Sequence, residues 1–325
     1  MKLNHIYKSI ACGVLLAMTA TSCDLDYNPV DTYSDVTEGV NKTDEKPIFN
    51  SVQDVETSMV TLHKKFRDQQ EHWYVDKLLI GDAHSDNAYA GTTGAEVVPY
   101  ETNSIEGSNS VLKRDWDRFL GDIAVANRII VGCDQLKALS ESERGKYQSQ
   151  AKIFRAMVMF DMVRLWGNFP VITTVGGDIT EDNVEEMYPT YFPPQNTAEE
   201  AYAQIEKDLT EAVENPNTPT NDTSDKSILT KSVARAMLAK VYAEKPLRDY
   251  AKVIKYADEL AADGFDLVED FSDLWAYDTE KKDCRVRNTK EAILEAHFPP
   301  GSGNWCTWMF GRNLSNWDES FTWAK

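Results

Sequence analysis

Half of the tryptophans in this 325-residue chain lie beyond residue 300, among asparagine and arginine residues. An indole ring can stack on the apolar C–H face of a sugar and exclude water there. Asn and Arg side chains can hydrogen-bond to the surrounding hydroxyls in a planar arrangement. The stretch therefore predicts a carbohydrate-binding surface, with the candidate residues Asn304, Trp305, Trp308, Arg312, Asn313 and Trp317. The alternative interpretation is that these tryptophans pack against a domain that follows in the chain.

A second group of polar and aromatic residues lies between Trp73 and Tyr100, where glycine and proline interrupt the helical pattern. We expect a long irregular loop here, and such loops are usually functional or disordered. Asp82, His84 and Asp86 have a spacing that a metal site could use, but no second histidine-rich segment completes a ligand set. We therefore expect no metal, and the acidic residues are alternatively caps of local turns.

The sequence contains none of the common catalytic or nucleotide-binding motifs, because GxSxG, HExxH, P-loop and GxGxxG patterns are all absent. We expect no cofactor. A carboxylate pair for glycoside hydrolysis remains open, since acidic residues are abundant and their separation is invisible in sequence. The formal net charge of −19 argues against binding to nucleic acid or to anionic lipid, which both need Lys and Arg.

These candidate residues must be positioned by helices, and the clearest of them lies in the middle of the chain. Apolar residues recur there at steps of three and four, namely Tyr147, Ala151, Phe154, Val158, Met162 and Leu165. Ser140 and Glu143 have the spacing of a capping box at its start. Gly167 can adopt the left-handed conformation after its last turn, and Pro170 prevents continuation. The pattern predicts a long helix that is buried on two sides.

Three charged residues, Arg155, Asp161 and Arg164, lie within this otherwise apolar helix. We interpret them as solvated edges that form local ion pairs. Asn127 lies inside the preceding predicted helix, where a polar amide indicates a buried side-chain hydrogen bond.

The same periodicity predicts further helices at 52–66, 112–130, 201–212, 233–242 and 250–260. Thr197 and Glu200 form another capping box. Val175–Pro194 reads as an irregular surface loop, and Glu291–Phe298 alternates apolar and polar residues like a strand. Pairs of helices with short connections resemble tetratricopeptide units. We therefore predict a mainly α fold of tetratricopeptide-like antiparallel helix hairpins with long irregular loops and minor β structure.

The first residues carry a targeting pattern. Two lysines precede a short apolar run that is too short to span a bilayer, and Thr21, Ser22 and Cys23 follow it. This arrangement resembles a bacterial lipobox, whereas an ordinary secretory peptide is the alternative. We expect 1–22 to be a lipoprotein signal peptide, Cys23 to be lipidated, 23–50 to be an acidic tether and 51–325 to be the folded domain.

The central helix also carries a family resemblance. Arg155 and Ala156, together with the run FDMVRLWGNFP at 160–170, resemble the central signature of the SusD/RagB family. The segment Trp116–Asn127 is similar to a helix of that family that ends in asparagine. Members are outer-membrane nutrient-binding lipoproteins of Bacteroidetes-type bacteria. Because members are longer, this chain looks like the N-terminal portion of one.

The resemblance implies a function and further site residues. It implies non-catalytic binding of a polysaccharide or oligosaccharide on the cell exterior, with delivery to a TonB-dependent, SusC-like transporter. It also implies that the loop containing Asp86, Asn87 and Tyr89 lies beside the glycan. The lipid on Cys23 would anchor the protein to the outer membrane.

Two other interpretations stay open at this point. A helical-repeat scaffold that binds another protein would use the same surface without any glycan. A glycoside hydrolase would release sugar.

Overall fold

A computed structural model describes residues 47–85, 87, 95–177, 183–274, 276–278, 280 and 283–298. Within this part, helix α1 (Val52–Asp68) starts at a capping box, in which Ser51 accepts from the amide of Asp54. Its buried face consists of Val55, Met59, Leu62 and Phe66. These residues recur at steps of three and four, so the helix predicted at 52–66 is confirmed.

The chain after α1 continues as a distorted helix, which corrects the prediction of an irregular loop from Trp73 onward. Two π-helical turns, Glu71–Val75 and Leu79–Ala83, flank the short helix α2 (Asp76–Leu78). We call 71–83 the π-segment. Ion pairs across to the next long helix hold it, such as that of Arg118 Nη1 with Glu71 Oε2 at 2.8 Å. Such non-local contacts can stabilise a helical turn that the local sequence does not favour.

A helix hairpin forms the centre of the fold. Helix α4 (Ser110–Gln135) pairs with helix α5 (Glu141–Trp166), and the short α3 (Val98–Glu101) precedes them. The capping box of Ser140 and Glu143 is present, and Gly167 has φ 72°, so both predicted ends of the central helix are confirmed. Residues other than Gly rarely adopt this positive φ.

Three further long helices follow in the chain. They are α7 (Ala198–Glu214), α8 (Lys231–Ala243) and α9 (Tyr250–Ala262). Helix α7 packs on α5 and on α8, and α8 packs on α9. The predicted mainly α fold is confirmed, and the packing is consistent with tetratricopeptide-like hairpins.

Two local predictions were wrong. The supposed loop 175–194 contains a helix, α6 (Val184–Tyr191), whose aromatic residues are exposed. Glu291–Phe298 forms no strand. Its backbone lies beside a loop and not beside a strand, since the Glu295 amide donates to the Lys226 carbonyl. The described β structure is the two-residue pair β1 (Tyr277–Asp278) and β2 (Asp283–Cys284).

The core is mainly apolar, and within the described residues it contains one free thiol. Cys133 is buried, and burial raises its pKa to about 12, so it is an unreactive thiol in the folded state. No helix among the described residues combines the length and hydrophobicity that a bilayer crossing requires.

Candidate functional site

A polar surface cavity of about 380 Å³ lies where the chain returns from the π-segment to α4. It is lined by Ala95, Glu96, Pro99, Ser104, Glu106, Ser108, Asn109 and Ser110. Hydroxyl, amide and carboxylate groups therefore dominate its wall. We call it the loop cavity.

Asn109 holds the loop cavity together, because its amide group has two roles. Its Oδ1 accepts from the backbone amides of Val111 and Leu112 at 3.0 and 3.2 Å and so caps α4. Its Nδ2 donates to the Glu96 carbonyl at 2.9 Å. The hydroxyl of Tyr100 also donates to Oδ1, at 3.4 Å. One side chain thus fixes the start of a long helix to the opposite wall of the cavity.

The chain that lines the loop cavity also contacts the residue that follows the π-segment. His84 Nε2 and Asn103 Oδ1 are 2.9 Å apart, and Asn103 has a positive φ of 57°. Asparagine tolerates this backbone conformation better than most residues. The contact keeps the chain near His84 close to the chain that leads into the cavity.

Asp76 and Asp115 form a buried carboxyl pair near Tyr100. Asp115 is 1% exposed, and burial, with the neighbouring Asp76, raises its pKa to about 8. Arg114 Nη2 donates to Asp76 Oδ2 at 2.5 Å. A raised carboxyl pKa is a property of general acids. Because Asp115 is inaccessible to solvent, however, this pair is not placed to protonate a ligand in the loop cavity.

The structure describes only one of the predicted ligand-binding residues. Asn87 is exposed, and its backbone amide donates to Ser85 Oγ at 3.3 Å. The others lie outside the described residues, as does the predicted lipidation site: Cys23, Asp86, Tyr89, Asn304, Trp305, Trp308, Arg312, Asn313 and Trp317. Their roles stay predictions.

Sequence reasoning missed the residues that line the loop cavity. The available signal was Asn109-Ser110 before two apolar residues, which is a helix start pattern. That pattern locates a helix end, whereas the closeness of Glu96 to Asn109 depends on the path of the loop between them. In the described part of the chain no group of three or more His, Cys, Asp or Glu residues could hold a metal.

A second cavity, of about 360 Å³, has an aromatic wall and is lined in part by the π-segment. It is lined by Phe66, Trp73, Tyr74, Lys77, Met157, Leu294, Glu295, Ala296 and Phe298. The ammonium of Lys77 lies 4.9 Å from the ring centroid of Trp73 and pairs with Asp161. Since its cation is already paired, this cavity offers fewer free polar groups than the loop cavity.

Comparisons with known proteins agree on one family. A family profile described as starch-binding and associating with the outer membrane (SusD-like) matches residues 32–243. A SusD-like protein of Bacteroides ovatus is 25% identical over 309 residues, which cover 91% of this chain and 50% of that protein.

Solved structures have the same fold. Surface glycan-binding protein A from Bacteroides fluxus matches with a TM-score of 0.61 and 21% identity, covering 79% of this chain and 52% of that one. Surface glycan-binding protein A from Bacteroides thetaiotaomicron, solved with laminarihexaose, matches with a TM-score of 0.56 and 17% identity, covering 69% and 46%. This chain therefore spans about half the length of the relatives that it matches.

Proposed function

Because this chain belongs to the SusD-like family of starch-binding proteins that associate with the outer membrane, we propose that it binds a polysaccharide or oligosaccharide at the cell surface. We propose further that it delivers the glycan to a TonB-dependent, SusC-like transporter and performs no chemistry on it. A lipid on Cys23 would attach it to the membrane, with 23–50 as the tether and 51–325 as the binding domain.

The loop cavity is the observation that supports this proposal most. Its volume of about 380 Å³ lies within the range of small-ligand sites. Ser104, Ser108 and Asn109 line it with groups that can donate and accept hydrogen bonds, and sugar hydroxyls have the same dual ability. Asn87, which is exposed and precedes the cavity residues in the sequence, would add a further polar group.

The aromatic part of the site stays a proposal from sequence. Trp305, Trp308 and Trp317 would stack on sugar faces, while Asn304 and Arg312 would bind hydroxyls. Asp86 and Tyr89 would complete the loop side. A site of this kind gains affinity from several modest contacts, so binding of a long glycan would exceed that of its monosaccharide.

Affinity electrophoresis of the full chain against a panel of polysaccharides tests the proposal. We expect retardation by at least one polysaccharide with no release of reducing sugar. Trp305→Ala and Trp308→Ala should each reduce the retardation. The matched control is Tyr250→Ala, since Tyr250 is an exposed ring on α9, away from the loop cavity. Sugar release would favour a hydrolase instead.

The membrane and transporter parts need separate measurements. A Cys23→Ala variant should lose metabolic labelling with a radioactive fatty acid, whereas a Cys133→Ala variant should keep it. Co-purification of the full chain with a TonB-dependent receptor from solubilised outer membranes tests the partner.

One observation favours a protein-binding scaffold as a second candidate function. Tyr250 and Ile254, four residues apart on α9, are 58% and 62% exposed. Neighbouring apolar exposure of this kind is common at protein interfaces. If this function is correct, Ile254→Glu should abolish receptor co-purification while no polysaccharide retards the chain.

A further inference from the structure

The loop that forms the cavity has an unusual charge. Residues 95–110, which contain all the residues that line the cavity, include no lysine or arginine but three acidic residues: Glu96, Glu101 and Glu106. Two of these, Glu96 and Glu106, line the loop cavity, and both are exposed to solvent. No lysine, arginine or histidine is among the described residues that line it.

The lysines and arginines nearest to 95–110 in the sequence are Lys77, Lys113 and Arg114, and each of them is paired with another carboxylate. Lys77 pairs with Asp161, Lys113 with Asp117, and Arg114 with Asp76. Ion pairs formed elsewhere contribute little positive potential at the cavity.

The start of α4 is the remaining positive feature, since a helix N-terminus is equivalent to roughly half an elementary charge. Its first amides, however, already donate to the side chain of Asn109. Two full negative charges from Glu96 and Glu106 outweigh that half charge. The potential in the cavity is therefore negative.

From this we infer that the loop cavity selects uncharged glycans, and that Glu96 and Glu106 reject polysaccharides that carry carboxylate or sulfate groups. The inference rests on the proposed function, because it assigns a ligand class to the same site. Like charges brought together at an interface oppose binding, which makes repulsion a source of specificity. Neutral sugar hydroxyls can still donate hydrogen bonds to both carboxylates.

The experiment compares a neutral polysaccharide with an anionic derivative of the same polymer. We would take the neutral polysaccharide that retards the full chain most strongly and prepare its carboxymethylated derivative. We expect about fivefold weaker binding of the derivative at low ionic strength, because two like charges about 4 Å apart in water repel each other by about 1 kcal/mol. The difference should narrow at about 0.5 M NaCl, where the Debye length is only about 4 Å.

Two variants identify the residues responsible. In the double variant Glu96→Gln/Glu106→Gln, the ratio of neutral to carboxymethylated affinity should fall toward one. The matched control Glu199→Gln removes an exposed carboxylate in the first turn of α7 and should leave that ratio unchanged.

The outcomes separate the two proposals. If no polysaccharide of any kind is retained, the proposed function fails. If the neutral polymer and its carboxymethylated derivative bind wild type equally, the selectivity is overturned and glycan binding stands. An unchanged ratio in the double variant also overturns the assignment to Glu96 and Glu106.

Discussion

Arg155 on α5 and Asp208 on α7 form a bidentate ion pair inside the protein. Arg155 Nε and Nη2 donate to the two Asp208 oxygens at 2.8 and 2.7 Å, and the side chains are only 4% and 1% exposed. Arg155 Nη1 donates to Asn127 Oδ1 at 2.7 Å, so the network joins three helices. The expectation of a solvated Arg155 was therefore wrong, because its partner on α7 was invisible to sequence periodicity.

Removing one member of this pair should be strongly destabilising. Asp208→Ala leaves a buried guanidinium without its counter-charge, and the expected loss is about 3–5 kcal/mol in the free energy of unfolding. Urea denaturation of the full chain measures it. The control is Lys113→Ala, which breaks the exposed pair with Asp117 and should cost less than about 1 kcal/mol. Equal losses for the two variants would contradict this reading.

The Asn127 amide should hold the connection after α5 in place. Its Nδ2 donates to the carbonyls of Ile172 and Thr174 at 2.9 and 3.2 Å. Asn127→Leu leaves these carbonyls and one Arg155 donor without partners, at about 1–3 kcal/mol. We expect faster hydrogen exchange at 171–177. Unaltered exchange there, in a folded variant, would show that other contacts fix the segment.

Stability should fall as the pH rises through the neutral range, owing to Asp115. Its folded pKa of about 8 lies above its unfolded value, so the folded state keeps a proton that the unfolded state releases. Between about pH 5 and pH 8 this predicts a loss of about 1.4 kcal/mol per pH unit from this group. Asp115→Asn should flatten the slope in urea titrations at several pH values. A slope that persists in the variant would assign the effect to another group.

Two glycines of α4 should respond oppositely to alanine. A Cβ at Gly132 would lie 2.4 Å from ring atoms of Phe49, whereas Gly121 is exposed with nothing within 4 Å. Gly121→Ala should stabilise by about 0.5–1 kcal/mol through helix propensity. Gly132→Ala should destabilise by about 1–3 kcal/mol through overpacking. Thermal unfolding measures both, and a rise in Tm for Gly132→Ala would refute the packing described around Phe49.

Asn109 offers a test of the loop cavity that separates stability from binding. Asn109→Asp keeps the oxygen that caps α4 but loses the donor to the Glu96 carbonyl. We expect the Tm to stay nearly constant while glycan retardation weakens, since the cavity wall is released. Asn109→Ala should lower both, with about 1 kcal/mol lost from the cap. Retardation of Asn109→Asp equal to wild type would place the binding surface elsewhere.

The sequence by itself determined the long amphipathic helices and the starts of two of them. Ser140 with Glu143 and Thr197 with Glu200 form the capping boxes that their spacing predicted. These interactions act within one turn, so the local sequence contains all the information needed. The buried hydrogen bond of Asn127 was predicted for a similar reason, because an amide within an apolar helix face needs a partner.

The tertiary structure alone decided which distant groups meet. Arg155 and Asp208 are far apart in the chain, and Glu96 reaches Asn109 only through the path of the intervening loop. The π-segment became helical through ion pairs to α4, and Glu291–Phe298 found no strand beside it. In each case the deciding free energy comes from contacts between remote segments, and residue spacing cannot encode which segments those will be.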